Sequence, residues 1–194
     1  MARNKEFNQE ETLQKAMTIF WVKGYSATSM QDLVDGLGIS RSSMYDTYGD
    51  KDTLFYAALE NYAKREIDVL SNIFDTAKSP LQAIQNLFSG IVTESISDTM
   101  HKGCFIVNAI GELPVCNAKV KTLVNGTLET MTETVADMIA AGQKAGEIST
   151  RHTPAQWAAF ITNTITGLRV AARGGADVKI LTDIAAVALS ALKV

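Results

Sequence analysis

The sequence predicts an all-α chain, in which an N-terminal three-helix head precedes a larger C-terminal helical bundle, about nine helices in all. Three observations carry that expectation. Only three prolines occur in 194 residues, Pro80, Pro114 and Pro154, and each stands where a helix would start or end. Apolar residues recur at spacings of three and four between glycine stops. No segment alternates apolar and polar residues as a half-buried strand does, and no fixed-period repeat or low-complexity segment is present.

Taken in order, Leu13, Ala16, Met17 and Phe20 define one face of a first helix from about Gln9 to Lys23, stopped by Gly24. Thr28 and Ser29 stand three residues ahead of Gln31 and Asp32, so they cap a short second helix that closes at Gly38. Ser40 caps a third, Arg41 to Tyr48, with Met44 and Tyr48 one turn apart. After the break at Gly49-Asp50, a fourth helix starts near Lys51 and runs into the Asp75 to Lys78 region. It carries Leu54, Ala58 and Tyr62 on one face.

Ser79-Pro80 opens a fifth helix, and Gly103 precedes a short sixth that ends by Pro114. The seventh runs from about Asn117 to Ala145, with Gly146 as its stop. Thr153-Pro154 opens the eighth, which reaches Gly174-Gly175, and the ninth runs from about Asp177 to Lys193. The break at Gly49-Asp50 divides the chain into a head, residues 1–50, and a bundle, residues 51–194.

With 46% hydrophobic and 20% charged residues, the chain can bury a core without disulfide or metal staples. Cys104 and Cys116 are too few for a secreted disulfide framework and suit a reducing compartment. The first residues are polar and show no export signal. The longest uncharged stretch, between Arg151 and Arg169, contains Gln156, Asn163 and four threonines, which suits a protein helix and not a membrane span. A cytoplasmic protein without a membrane partner is expected. The only histidines, His101 and His152, belong to no metal-ligand pair, and no glycine-rich phosphate loop or nucleophile elbow occurs. Gly111-Glu112-Leu113-Pro114 reads as a helix ending. Neither catalysis, nor a metal, nor a cofactor is expected.

Two short helices joined by Leu37-Gly38-Ile39-Ser40 beneath a longer first helix make a helix-turn-helix pattern. Leu33, Leu37, Ile39 and Met44 form its inner side, with Met44 and Tyr48 expected in the core. Arg41, Ser42, Ser43, Tyr45 and Thr47 occupy the outer side of the third helix. Arginine pairs with guanine through two bonds, hydroxyls reach bases or phosphates, and helix N-termini attract phosphate.

The run Phe20-Trp21-x-x-Gly24-Tyr25-x-x-Thr28-Ser29-Met30, then Leu37-Gly38-Ile39-Ser40 and Ser43-Met44-Tyr45-x-x-Tyr48-x-x-Lys51-x-x-Leu54, closely resembles the TetR/AcrR family of bacterial transcriptional regulators. The resemblance covers about Gln9 to Tyr62 at motif level. It implies a homodimer whose heads bind double-stranded operator DNA and whose bundles bind a small-molecule effector that releases the DNA. It also places Arg41, Ser42, Ser43, Tyr45 and Thr47 towards bases and phosphates, Ser29 and Gln31 at the backbone-contacting start of the second helix, and Lys51 on a phosphate. Thr47 stands where the family often has an aromatic or histidine, and Asp46 adds a negative charge beside that surface. A repressor is the expected function. Its alternatives are a thiol-switched regulator and a small-molecule-binding dimer without DNA binding.

Net charge is −3, from 18 basic and 21 acidic side chains. Residues 1–60 hold six basic and nine acidic groups, whereas the remainder holds twelve of each. Binding by so acidic a head depends on a few placed groups, with a modest salt slope.

In the bundle, Phe88, Ile91, Phe105, Met131, Met138, Trp157 and Phe160 are candidates to line an effector cavity, with Asn108, Thr127 and Thr164 as polar contacts. The same spacing also suits a solid core. The ninth helix carries two apolar rows, Ile180, Ile184, Val187 and Ala191, and Leu181, Ala185, Ala188 and Leu192, one able to face the core and the other a partner. The resemblance implies that the last two helices form the dimer interface; a plain core helix is the alternative. His101-Lys102-Gly103-Cys104-Phe105-Ile106-Val107-Asn108 resembles a Gly-Cys-apolar segment of a subset of these regulators, some of which sense electrophiles or oxidants. Cys104 is therefore a further effector-site candidate. A helix start beside His101 and Lys102 would favour its thiolate, while inert packing is the other reading. Twelve residues, mostly helical, separate the two thiols and oppose a disulfide between them.

Overall fold

The computed structural model describes residues 8–112 and 118–194, and every regular element there is helical. The order is α1 (Gln9–Lys23), α2 (Met30–Leu37), α3 (Arg41–Tyr48), α4 (Lys51–Thr76), α5 (Pro80–Ser97), α6 (Phe105–Ile110), α7 (Ala118–Lys144), α8 (Pro154–Arg173) and α9 (Val178–Ala191). The expected bounds of α1 and α3 are met to the residue. Pro114, Cys116 and the expected start of α7 at Asn117 lie outside the described residues.

Local chemistry sets the helix starts. Ser29 and Asp32 form a reciprocal capping box at α2, as Thr153 and Gln156 do at α8. Ser40, Asp50 and Ser79 each accept the N–H three residues on, and Pro80 follows Ser79 where its missing N–H costs nothing. Each such cap is worth about 1 kcal/mol. Gly38 ends α2 in the left-handed region, φ 66°, and turns the chain into α3.

Two cores result. One gathers Phe20, Leu33 and Met44 of the head with Leu54, Phe55 and Tyr62 of α4, Phe105 and Ile106 of α6, and Val120 and Val124 of α7. Phe105 sits among Trp21, Phe55 and Tyr62, with ring centroids 5.7–6.1 Å apart. Such aromatic pairs add about 0.5–1.5 kcal/mol each beyond their area. The second core joins α5, α7, α8 and α9 through Ile84, Phe88, Met138, Ile139, Ile161 and Leu181.

On α9 the two rows separate. Leu181, Ala185, Ala188 and Leu192 are buried, whereas Ile180, Ile184 and Val187 are exposed, Val187 at 68%. On α8, Phe160 and Val170 are exposed as well. Among the described residues, no helix is long and apolar enough to cross a membrane, and no group of three or more His, Cys, Asp or Glu side chains is placed to hold a metal.

Candidate nucleic-acid interface and ligand cavity

Burial of Met44 and Leu33 fixes how α3 lies on the head and which side it presents outward. Arg41, Ser42, Tyr45 and Asp46 are exposed there, with Ser43 and Thr47 half-buried. Arg41 and Tyr45 lie one turn apart. The Ser40 cap holds the Ser42 and Ser43 hydroxyls at 3.0 and 2.8 Å. Met44 is in the core as expected, while Tyr48 is half-buried and donates its hydroxyl to the Gln9 carbonyl at 3.0 Å, tying α3 to the start of α1.

Ser29 takes the Asp32 N–H and donates to the Asp32 carboxylate at 2.8 Å. Lys23 reaches the same carboxyl at 2.6 Å, and together these bonds hold it well below the usual carboxylate range. Gln31 is exposed and donates to Asp35 at 2.8 Å. Lys51 opens α4, its ammonium 4.3 Å from the Tyr25 ring centroid, and the Tyr25 hydroxyl donates to Asp52. The eight sequence candidates thus occupy the starts of α2 and α4 and the outward side of α3.

A cavity of about 490 Å³ lies between α4, α5, α6, α7 and α8. Of the sequence candidates, Ile91, Cys104 and Met131 line it. The others have different places. Phe88 and Met138 are closed into the bundle core, and Phe105 is part of the head core. Asn108 donates to the Lys102 carbonyl at 2.7 Å, and the buried Thr127 hydroxyl to Leu123 at 2.7 Å. Trp157 donates to the Ser149 carbonyl at 3.0 Å and meets the His152 ring edge-on. Phe160, 43% exposed, faces outward, and Thr164 donates to its carbonyl. Aromatic size marked these residues, but size alone does not separate a cavity wall from a core or an open face.

The cavity's polar end escaped the sequence reading. Arg169 meets Glu94 at 2.7 Å and Glu66 at 3.4 Å, and all three side chains line the wall. The stripe Tyr62, Glu66, Leu70 at four-residue spacing was the available signal. Tyr62 lies beside the Cys104 thiol, its hydroxyl buried.

Cys104 is 6% exposed and burial pushes its thiol up, with Arg169 only partly offsetting this. The expected stabilisation of a thiolate by His101 and Lys102 is not found. His101 is exposed, and Lys102 sits over the Trp21 ring at 4.8 Å.

The short α6 is fastened to the head at both ends. Ahead of it, the Gly103 carbonyl accepts the Trp21 indole N–H at 3.1 Å. Beyond it, the Glu112 carboxylate accepts the backbone N–H groups of Tyr25 and Ser26, at 2.9 and 2.7 Å. Between these bonds, Ile106 and Val107 line the cavity.

A head that presents a helix of polar, aromatic and arginine side chains, packed on α4 and bonded to the segment around α6 that walls an internal cavity, has the architecture of a ligand-responsive DNA-binding regulator. Residues 13–58 match the family model described as bacterial regulatory proteins, tetR family, and residues 80–187 that of the tetracyclin repressor-like C-terminal domain. The HTH-type transcriptional repressor ComR of Escherichia coli K12 is 30% identical over 192 residues, covering 96% of this chain and 90% of that one. The chain belongs to the TetR family of transcriptional regulators.

Solved structures agree in fold. Reduced NemR of E. coli superposes with a TM-score of 0.87 at 13% identity, over 94% of this chain and 95% of that one. A cysteine-substituted form of the regulator CifR, solved with 26-base-pair operator DNA, gives 0.85 at 25% identity, over 97% and 99%.

Proposed function

We propose that this protein is a homodimeric repressor whose two heads set α3 into successive major grooves of an operator, and that a small molecule in the cavity releases it. The observation that carries this reading is α6, one short helix that both walls the cavity and is bonded to the head. A ligand that displaces Ile106 or Val107 acts on the α1–α2 turn through bonds already made. The ligand must favour the released arrangement, and a coupling of ~1–3 kcal/mol is the usual size.

Arg41, Ser42, Ser43, Tyr45 and Thr47 are assigned to bases and phosphates, Ser29, Gln31 and Lys51 to the backbone. The uncovered apolar residues Phe160, Val170, Ile180, Ile184 and Val187 support pairing of α8 and α9 with those of a second copy. Such pairing sets two heads on half-sites ~34–36 Å apart. We assign residues 1–50 to DNA binding and 51–194 to effector binding and dimerisation, with the protein acting in the cytoplasm without metal or cofactor.

Footprinting on the DNA upstream of its own gene tests the proposal. Sequence-specific protection over two half-sites is expected, and its absence at low salt overturns the reading. Arg41→Ala and Tyr45→Ala are each expected to cost about 1–3 kcal/mol of specific binding where they read a base. Both leave the dimer intact.

A further inference from the structure

The cavity's charges are unequal. Two carboxylates, Glu66 and Glu94, share the single guanidinium of Arg169, and no other cationic side chain among the described residues lines the wall. Its threonines add acceptors. Thr132, Thr162 and Thr166 donate their hydroxyl protons to the carbonyls of Leu128, Ala158 and Thr162, at 2.8–2.9 Å. What remains on those oxygens is lone pairs. The rest of the wall is mostly aliphatic, with Leu70, Leu87, Ile91 and Val135 among its residues.

We propose that the cavity takes an amphiphilic organic cation, a protonated amine with N–H donors on an apolar body. This rests on the reading of the cavity as the effector site. A bound ammonium brings the charges along the wall to two of each sign and supplies donors to the threonine and glutamate oxygens. A carboxylate ligand would instead set three negative charges about one guanidinium. Glu94 is partly open to water and holds the shorter bond to Arg169, so an uncharged ligand would leave the sheltered Glu66 with only the longer one, and a sheltered, poorly paired charge is costly. The volume of about 490 Å³ lies within the usual range for small-molecule sites, roughly 300–1,000 Å³.

The test uses decylammonium, decanol and decanoate, below their micellar concentrations, titrated calorimetrically into the full-length protein. Decylammonium is expected to bind at least about tenfold more tightly than either other probe, a difference of about 1.4 kcal/mol. Glu66→Gln, checked for unchanged helicity, is expected to erase that preference while decanol affinity stays as it was; Glu94→Gln serves the same purpose if Glu66→Gln does not fold.

Equal or tighter binding of decanoate overturns the proposal, as does a preference that survives both substitutions. Decanol binding without preference rejects the charge assignment but keeps the cavity as a ligand site. Binding of none of the three, by protein that still protects its operator, rejects the ligand class and leaves DNA binding standing. Decylammonium that binds without weakening operator protection rejects this class as the effector.

Discussion

Glu112 accepts the backbone N–H of Tyr25 at 2.9 Å, across 87 positions of sequence. Its second oxygen takes the N–H of Ser26, so a side chain beyond α6 completes the hydrogen bonding of the turn that starts the helix-turn-helix. Gly24 makes room for it: a Cβ there would lie 2.6 Å from the Glu112 carboxylate, and its φ of 84° favours glycine. Glu112→Ala should cost about 1.5–3 kcal/mol, the range for hydrogen bonds to a charged group. Amide exchange at Tyr25 and Ser26 should accelerate before the rest of the head. Equal protection in variant and wild type would remove Glu112 from the link.

The uncovered row of α9 yields a second prediction. Ile184→Asp with Val187→Asp should produce a helical monomer in analytical ultracentrifugation, because Val187 touches little of its own chain at 68% exposure. Operator protection should be lost with the dimer. A variant that remains dimeric would shift the interface off this face.

Cys104 should be a slow thiol. The thiolate is the reacting form, and burial disfavours it here. In a Cys116→Ser background, iodoacetamide should label Cys104 more slowly than it labels free cysteine, and completely only in denaturant. Rapid labelling of the native protein would reinstate the thiol switch.

Glu66 predicts a pH dependence with a definite sign. Burial lifts its carboxyl above the ordinary 4.5, Arg169 opposes this and Glu94 adds to it, while Arg65 pulls it down. The native state then holds the proton at pH values where the unfolded chain has lost it. Stability therefore falls as pH rises from the unfolded pKa through the higher folded one. Glu66→Gln escapes that loss and keeps Arg169 paired with Glu94. Its urea midpoint relative to wild type should rise as pH increases above the unfolded value, about pH 4, since both states carry the proton below it. A difference that does not change with pH would contradict the burial of a charged Glu66.

What the sequence made legible was local. Ser29 with Asp32, Ser40, and Thr153 with Gln156 lie three residues or fewer from the groups they cap, so the helix starts could be placed without knowledge of the fold. The outward side of α3 followed from the spacing of Met44 against Arg41 and Tyr45. The cavity was another matter. Arg169 and Glu66 are 103 positions apart, and charged residues at such distances look like ordinary surface until the helices carrying them are packed. Phe105 and Phe160 looked alike in sequence, yet one is locked among three aromatic rings and the other faces outward.

The place of Phe105 and Ile106 in the head's core bears on how far this regulator is modular. A graft of residues 8–50 onto a foreign bundle would leave behind Leu54, Phe55, Tyr62 and Phe105, and with them the Glu112 carboxylate that closes the α1–α2 turn. The transplantable unit is discontinuous: α1–α3, the first half of α4 and the α6 strap travel together. Chimeras meant to couple this head to a new sensor should be joined on the far side of those elements.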